Sequence, residues 1–169
     1  MKGMTRRERE ITDRETIRGI LDRSLVVHLG LTDGDEPYVV PMNYGYTMDE
    51  DGTLKLYLHG ATQGRKLDMM RQNPKVFLEM ECDVQPFSGD VACRYGMTYM
   101  SLMGRGKAVI LEDPAEKAEA MSILMKTQTG GDFTFEEKLV KVVSVIRIDV
   151  LEYTAKGRPL PKPRTETVE

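Results

Sequence analysis

Leu58-His59-Gly60-Ala61-Thr62-Gln63-Gly64-Arg65-Lys66-Leu67-Asp68 is the stretch on which the fold and the site both turn. It opens as the end of a strand. Over residues 53–59, Leu54, Leu56 and Leu58 face one way and Lys55, Tyr57 and His59 the other. A loop of small residues, 60–64, then leads into a helix near Arg65–Gln72 that stops at Asn73-Pro74, since the residue before a proline disfavours helical backbone. Two adjacent cations therefore open a helix. Unpaired N–H groups point outward there, and the helix dipole favours an anion. Arg65 and Lys66 oppose that dipole at a cost on the order of 0.5 kcal/mol, unless an anion lies between them. Residue type alone leaves two readings: solvated helix residues, or a phosphate clamp. A P-loop is excluded, because the glycine spacing is too short and no Ser or Thr follows Lys66.

Working outward, a helix comes first, with Thr12 and Glu15 in a capping-box pattern and Ile17, Ile20 and Leu21 on one face. Residues 25–32 then read as a strand ending at the turn Asp33-Gly34-Asp35-Glu36. Residues 38–48 form the next strand, with Val40, Met42, Tyr44 and Tyr46 on one side. Pro41 within it requires an edge position or a bulge. Asp49-Glu50-Asp51-Gly52 marks a hairpin, and the strand 53–59 follows.

Beyond the quoted stretch, residues 75–82 form a strand and 83–92 a loop. Residues 95–111 make a long strand in which Gly104 and Gly106 mark a bulge or sharp bend. Asp113-Pro114-Ala115-Glu116 starts a helix carrying Ala118, Met121, Ile123, Leu124 and Met125 and ending before Gly130-Gly131. A short helix over 134–141 and a last strand over 142–154 complete the order. Six strands, mostly joined by hairpins and without a run of βαβ units, describe a mainly β protein, a small antiparallel barrel with peripheral helices. Residues 1–155 form one domain, and 156–169 an extended, basic, proline-rich tail that is solvated.

Bulk properties narrow the function. A chain of 169 residues, 40% hydrophobic and 30% charged, is long enough to bury a core. Its net charge of −3 excludes a broad nucleic-acid face, which must be basic. The charged N-terminus is no secretory signal, and no apolar run reaches the roughly 20 residues of a membrane helix, so a cytoplasmic protein without membrane contact is expected. Cys82 and Cys93 have neither disulfide-framework nor zinc spacing and read as reduced, packed thiols. His28 and His59 each alternate away from the leucine face; a lone strand histidine is more often structural than catalytic. No Ser/His/Asp or Cys/His triad follows from the spacing.

Three stretches together resemble the pyridoxamine-phosphate-oxidase-like flavoproteins, nearest the branch that includes the nitroimidazole-resistance (Nim) proteins. They are 37–46, containing Val40-Pro41-Met42-Asn43, then 56–68, containing His59-Gly60-Ala61 and Gly64-Arg65-Lys66, then 99–106, containing Ser101. The resemblance runs from about residue 8 to 154. It implies an FMN-binding split β-barrel, a homodimer with two flavins at its interface. By it, Arg65 and Lys66 grip the phosphate, with Gly64 where a hydroxyl residue often sits. Val40, Pro41, Met42 and Asn43 pass along the ring and ribityl chain. His59, Gly60 and Ala61 lie beside the flavin, and Ser101 approaches from the long strand of the same or the other subunit. FAD is the alternative to FMN, since both present a phosphate to this loop; haem or a deazaflavin is a further cofactor reading.

The resemblance also implies a flavin-dependent oxidoreductase that takes electrons from NAD(P)H or another donor and reduces a small acceptor such as a nitroaromatic, with His59 as the catalytic residue. The alternative is a flavin-binding or storage protein without catalysis. True pyridoxamine-phosphate oxidases end in a segment bearing Trp and Arg; this chain has no Trp, which speaks against that substrate.

Overall fold

A computed structural model describes residues 5–161. Its strands are β1 (Glu10–Ile11), β2 (Val26–Asp33), β3 (Glu36–Asn43), β4 (Gly45–Met48), β5 (Leu54–Gly60), β6 (Lys75–Phe87), β7 (Gly96–Leu111) and β8 (Ser144–Arg158). The helices are α1 (Arg14–Arg23), α2 (Arg65–Gln72), α3 (Pro114–Thr129) and α4 (Glu137–Val140). One antiparallel sheet runs β3-β2-β6-β7-β8-β5-β4, and β1 pairs with β8. The expected mainly β barrel with peripheral helices is the observed architecture, with eight strands among the described residues where six were expected.

The difference arises mainly at residues 38–48. What reads as one strand is two, lying at opposite edges of the sheet. Tyr44 is the hinge between them. Its ring is fully buried, and its hydroxyl donates 2.7 Å to the carbonyl of Leu21, one of the last carbonyls of α1 and so without an intrahelical partner. The chain thereby passes from one sheet edge to the other and draws them together, with β3 lying against β5. Pro41 sits on the edge strand β3, paired only with β2, the position in a sheet where proline is tolerated.

The long strands bend where glycine permits close approach. A β-carbon on Gly104 would lie 2.8 Å from the Glu152 carbonyl, and one on Gly106 equally close to that of Asp149. The β7–β8 register slips between Arg105 and Gly106, as the two glycines foretell. The strand β8 continues to Arg158, so the boundary expected at 155 falls inside it: Lys156, Gly157 and Arg158 pair with Ser101, Met100 and Tyr99. The expected tail beyond Pro161 lies outside the described residues. Likewise β6 extends to Phe87 through an irregularity between Cys82 and Gln85, replacing part of the expected loop. The short helix expected over 134–141 contracts to Glu137–Val140.

The core fills the barrel with Leu29, Leu54, Leu56, Leu58, Leu78 and Leu102, closed by Ile20 and Leu21 of α1 and Leu67 of α2. Each such side chain contributes about 1.5–3 kcal/mol on burial. A smaller cluster, Leu111, Ala120, Met121, Val140 and Val145, fixes α3 and α4 to the outside of β7 and β8. The cap of α1 is Asp13, which accepts from the Thr16 amide at 2.8 Å, and not Thr12 with Glu15. Cys82 is buried as expected, whereas Cys93 is exposed; both are free.

Candidate functional site

The mouth of α2 is built by three elements. From below, Leu67, Met69 and Met70 bury one face of the helix in the core. At its far end Asn73 donates to the Thr32 hydroxyl at 3.0 Å, fixing the helix to the end of β2. At its start Gly64 is the N-cap with φ +138° and ψ 161°, a conformation that favours glycine and explains its presence where a hydroxyl residue is otherwise favoured. No side chain caps this end. The Leu67 and Asp68 amides bond the Gly64 carbonyl, which leaves the first amides of the helix aimed outward.

The two cations diverge from this point. Arg65 swings to the β2–β3 turn, where it meets Asp33 at 3.0 Å and lies over the Tyr38 ring at 4.9 Å. Its conflict with the helix dipole is therefore relieved within the chain by a carboxylate. Lys66 turns the other way and folds over the end of β5. Its Cε and Nζ lie 3.1 Å from the point that a β-carbon on Gly60 would occupy. Among the described residues no carboxylate pairs with Lys66, which leaves its charge uncompensated beside the free amides.

His59 precedes that glycine on β5, on the side away from Leu54, Leu56 and Leu58, paired with Val145. Its Nδ1 is shielded from solvent and has no hydrogen-bond partner. A buried, unpartnered nitrogen is costly unless something completes it. The pairing of β4 with β5 ends at Tyr57, so Leu58, His59 and Gly60 extend past it, paired with β8 alone. The strand β3 presents Val40, Pro41, Met42 and Asn43 at the open sheet edge, with Met42 turned into the core and Pro41 and Asn43 outward. The barrel is split between β3 and β5, which approach each other without pairing, and Ala61 and Gly64 lie in the exposed loop that leads to Arg65 and Lys66.

Ser101 stands apart. It is buried on β7 between Glu81 and Lys156, ten residues along the strand from Leu111, the β7 residue in register with Val145 and hence with His59. Within one chain it does not join the group around Lys66. Asp33 and Tyr38 were missed by the sequence reading; the turn Asp33-Gly34 was visible, but not that it would face the helix mouth.

Residues 13–157 match the family described as pyridoxamine 5'-phosphate oxidase, and the chain belongs to that family. A candidate 5-nitroimidazole antibiotic resistance protein from Bacteroides thetaiotaomicron is 33% identical, with 88% of this chain and 86% of that one covered and a TM-score of 0.74. An FAD- and haem-binding protein from Mycobacterium smegmatis shares the fold at a TM-score of 0.76, with 16% identity over 94% of this chain and 78% of that one. An uncharacterized protein of Rhizobium meliloti (strain 1021) is 31% identical over 70 residues, 41% of this chain and 42% of the relative's length. Among the described residues no helix is long and apolar enough to cross a membrane.

Proposed function

We propose that the chain binds a flavin mononucleotide through its phosphate at the mouth of α2 and uses it to reduce a small acceptor. The observation that carries this is the Lys66 ammonium, without a carboxylate partner among the described residues, folded across Gly60 beside the unpaired first amides of the helix. A phosphate there accepts from both, with charge-assisted bonds about twice as strong as neutral ones. Gly60 fits the group, since any side chain would crowd the lysine, and the orphaned His59 Nδ1 gives the same split a buried polar anchor. FMN, when bound, supplies the two-electron chemistry.

The chain's own residues orient and protonate. His59 is the acid or base beside the ring, since an imidazole can give or take a proton near neutral pH. The edge of β3 offers backbone groups to the ring and ribityl chain. NAD(P)H is the donor class, and a nitroaromatic the acceptor class suggested by the Bacteroides thetaiotaomicron relative.

A second copy of the chain would cover the outer face of β3, β2 and β6. Val39, 61% exposed, and Phe77, 39% exposed, flank Gly30 there in one register row, an apolar strip on the side away from the core. Such a homodimer is also what would bring a partner's Ser101 toward the flavin.

The test is reconstitution followed by turnover. Purified protein is expected to carry or take up FMN, to bleach anaerobically with NAD(P)H, and to recover colour on adding a nitroimidazole. His59→Ala is expected to keep the flavin and lose turnover. Retained turnover in that variant would remove His59 from the chemistry, and failure to take up FMN or FAD would remove the proposal. Sedimentation or light scattering reads the dimer directly.

A further inference from the structure

We propose that His28, Glu79 and Glu81 form a binding site for a divalent transition-metal ion on the outer wall of the barrel, where His28 stands opposite Pro41 of β3. Strand register puts these residues together. His28 on β2 is directly opposite Glu79 on β6, and Glu81 is two residues further along β6 and so on the same face. One ligand atom from each converges, all within 4.8 Å of one another. The His28 Nδ1 lies 3.3 Å from a Glu79 Oε and 3.8 Å from a Glu81 Oε. Ligands about 2.1 Å from a tetrahedral ion stand about 3.4 Å apart, so both separations suit a shared ion with little movement.

The chemistry of the three atoms favours the same conclusion. The His28 Nδ1 is shielded from solvent, yet the nearby carboxylates are not aligned to hydrogen-bond it. Two carboxylates on one face of one strand repel each other. The cations near this wall are otherwise engaged: Arg105 pairs with Glu152, and Lys156 lies over Tyr99. A divalent ion would neutralise both carboxylates and take the imidazole nitrogen as a third donor. One nitrogen and two oxygens suit zinc, cobalt or nickel better than magnesium or calcium. The side chains are 34% to 42% exposed in the single chain, and the cluster lies one register row from Val39, Gly30 and Phe77 on the same face, so the second copy proposed above would sit beside the ion.

The test uses tag-free, chelator-treated protein titrated with cobalt(II) and then zinc. One equivalent of cobalt is expected to give intense visible bands of low coordination number, removed by one equivalent of zinc. His28→Ala and the isosteric Glu81→Gln are expected to weaken binding by more than the roughly tenfold typical of losing an outer-shell partner. Cys93→Ser, which removes the exposed thiol that could mimic such a site, is expected to leave the bands intact. Each variant's thermal melt without metal verifies its folding. Wild-type protein with no bands beyond those of aqueous cobalt, or His28→Ala with unchanged bands, overturns the site. In that outcome the cluster is a histidine packed between two glutamates without an ion.

Discussion

Lys66 crosses the end of β5 only because residue 60 is glycine: its ammonium occupies space 3.1 Å from where a Gly60 β-carbon would project. That contact is with the far end of a flexible side chain, so a methyl group there should be accommodated by displacing the lysine. Gly60→Ala is therefore expected to change stability by about 0.5 kcal/mol or less, while moving the ammonium off the helix mouth. Thermal melting beside a flavin-fluorescence titration measures both, and the affinity should fall about tenfold, the equivalent of about 1.4 kcal/mol. Unchanged affinity would separate Lys66 from the phosphate.

Arg65 and Lys66, adjacent in sequence, should contribute unequally. Asp33 already compensates Arg65, whereas Lys66 has no such partner among the described residues. Losing a charged hydrogen bond costs about 1.5–3 kcal/mol, so Lys66→Met should weaken FMN binding about 10- to 100-fold. Arg65→Met should cost less, because the charge it removes is already paired with Asp33 and the helix amides remain. Titrations at two salt concentrations would show it. An Arg65 effect larger than that of Lys66 would reverse the assignment.

Tyr44 joins the two sheet edges to α1 through one hydrogen bond to the Leu21 carbonyl. Burial pushes its hydroxyl above the ordinary tyrosine value, so it stays a donor across any working pH. Tyr44→Phe keeps the ring and strands that carbonyl, at an expected loss of about 1–3 kcal/mol in urea unfolding. A change well below this range would mean that ring packing alone holds the closure.

Asp13 gives a pH signature. The Thr16 hydroxyl and amide both donate to its carboxylate and hold it below the ordinary 3.8. A folded-state value lowered in this way stabilises above the unfolded value and is lost as pH falls through the folded one. Asp13→Ala should therefore lower the melting temperature at pH 7, with the gap to wild type closing below about pH 4. Asp13→Asn should keep the cap while losing the pH dependence. A gap that persists unchanged into acid would point to the helix start being held by something else.

The barrel was legible because its signals are local. Alternation in residues 53–59 fixes which face of β5 is buried, Pro41 confines β3 to an edge, and Gly104 and Gly106 mark the β7–β8 slip. The Gly-Arg-Lys start of α2 is also local, since a cap and a proline stop delimit it. Harder to see was the division at Tyr44. Residues 38–48 alternate without a break, and only the packing of that ring against Leu21 tells the chain to change edges.

The site divides along the same line. Its anion-binding character rests on residue types in order, a glycine cap, two cations and bare helix amides, all within eight residues. Which cation is spoken for depended on Asp33, 32 positions away, and the His28 cluster on strands whose register brings residues 51 positions apart face to face. Backbone geometry over one turn follows from sequence because the atoms involved are covalent near-neighbours. Charge pairing across a sheet does not, because it is set by which distant strands the core packing makes adjacent.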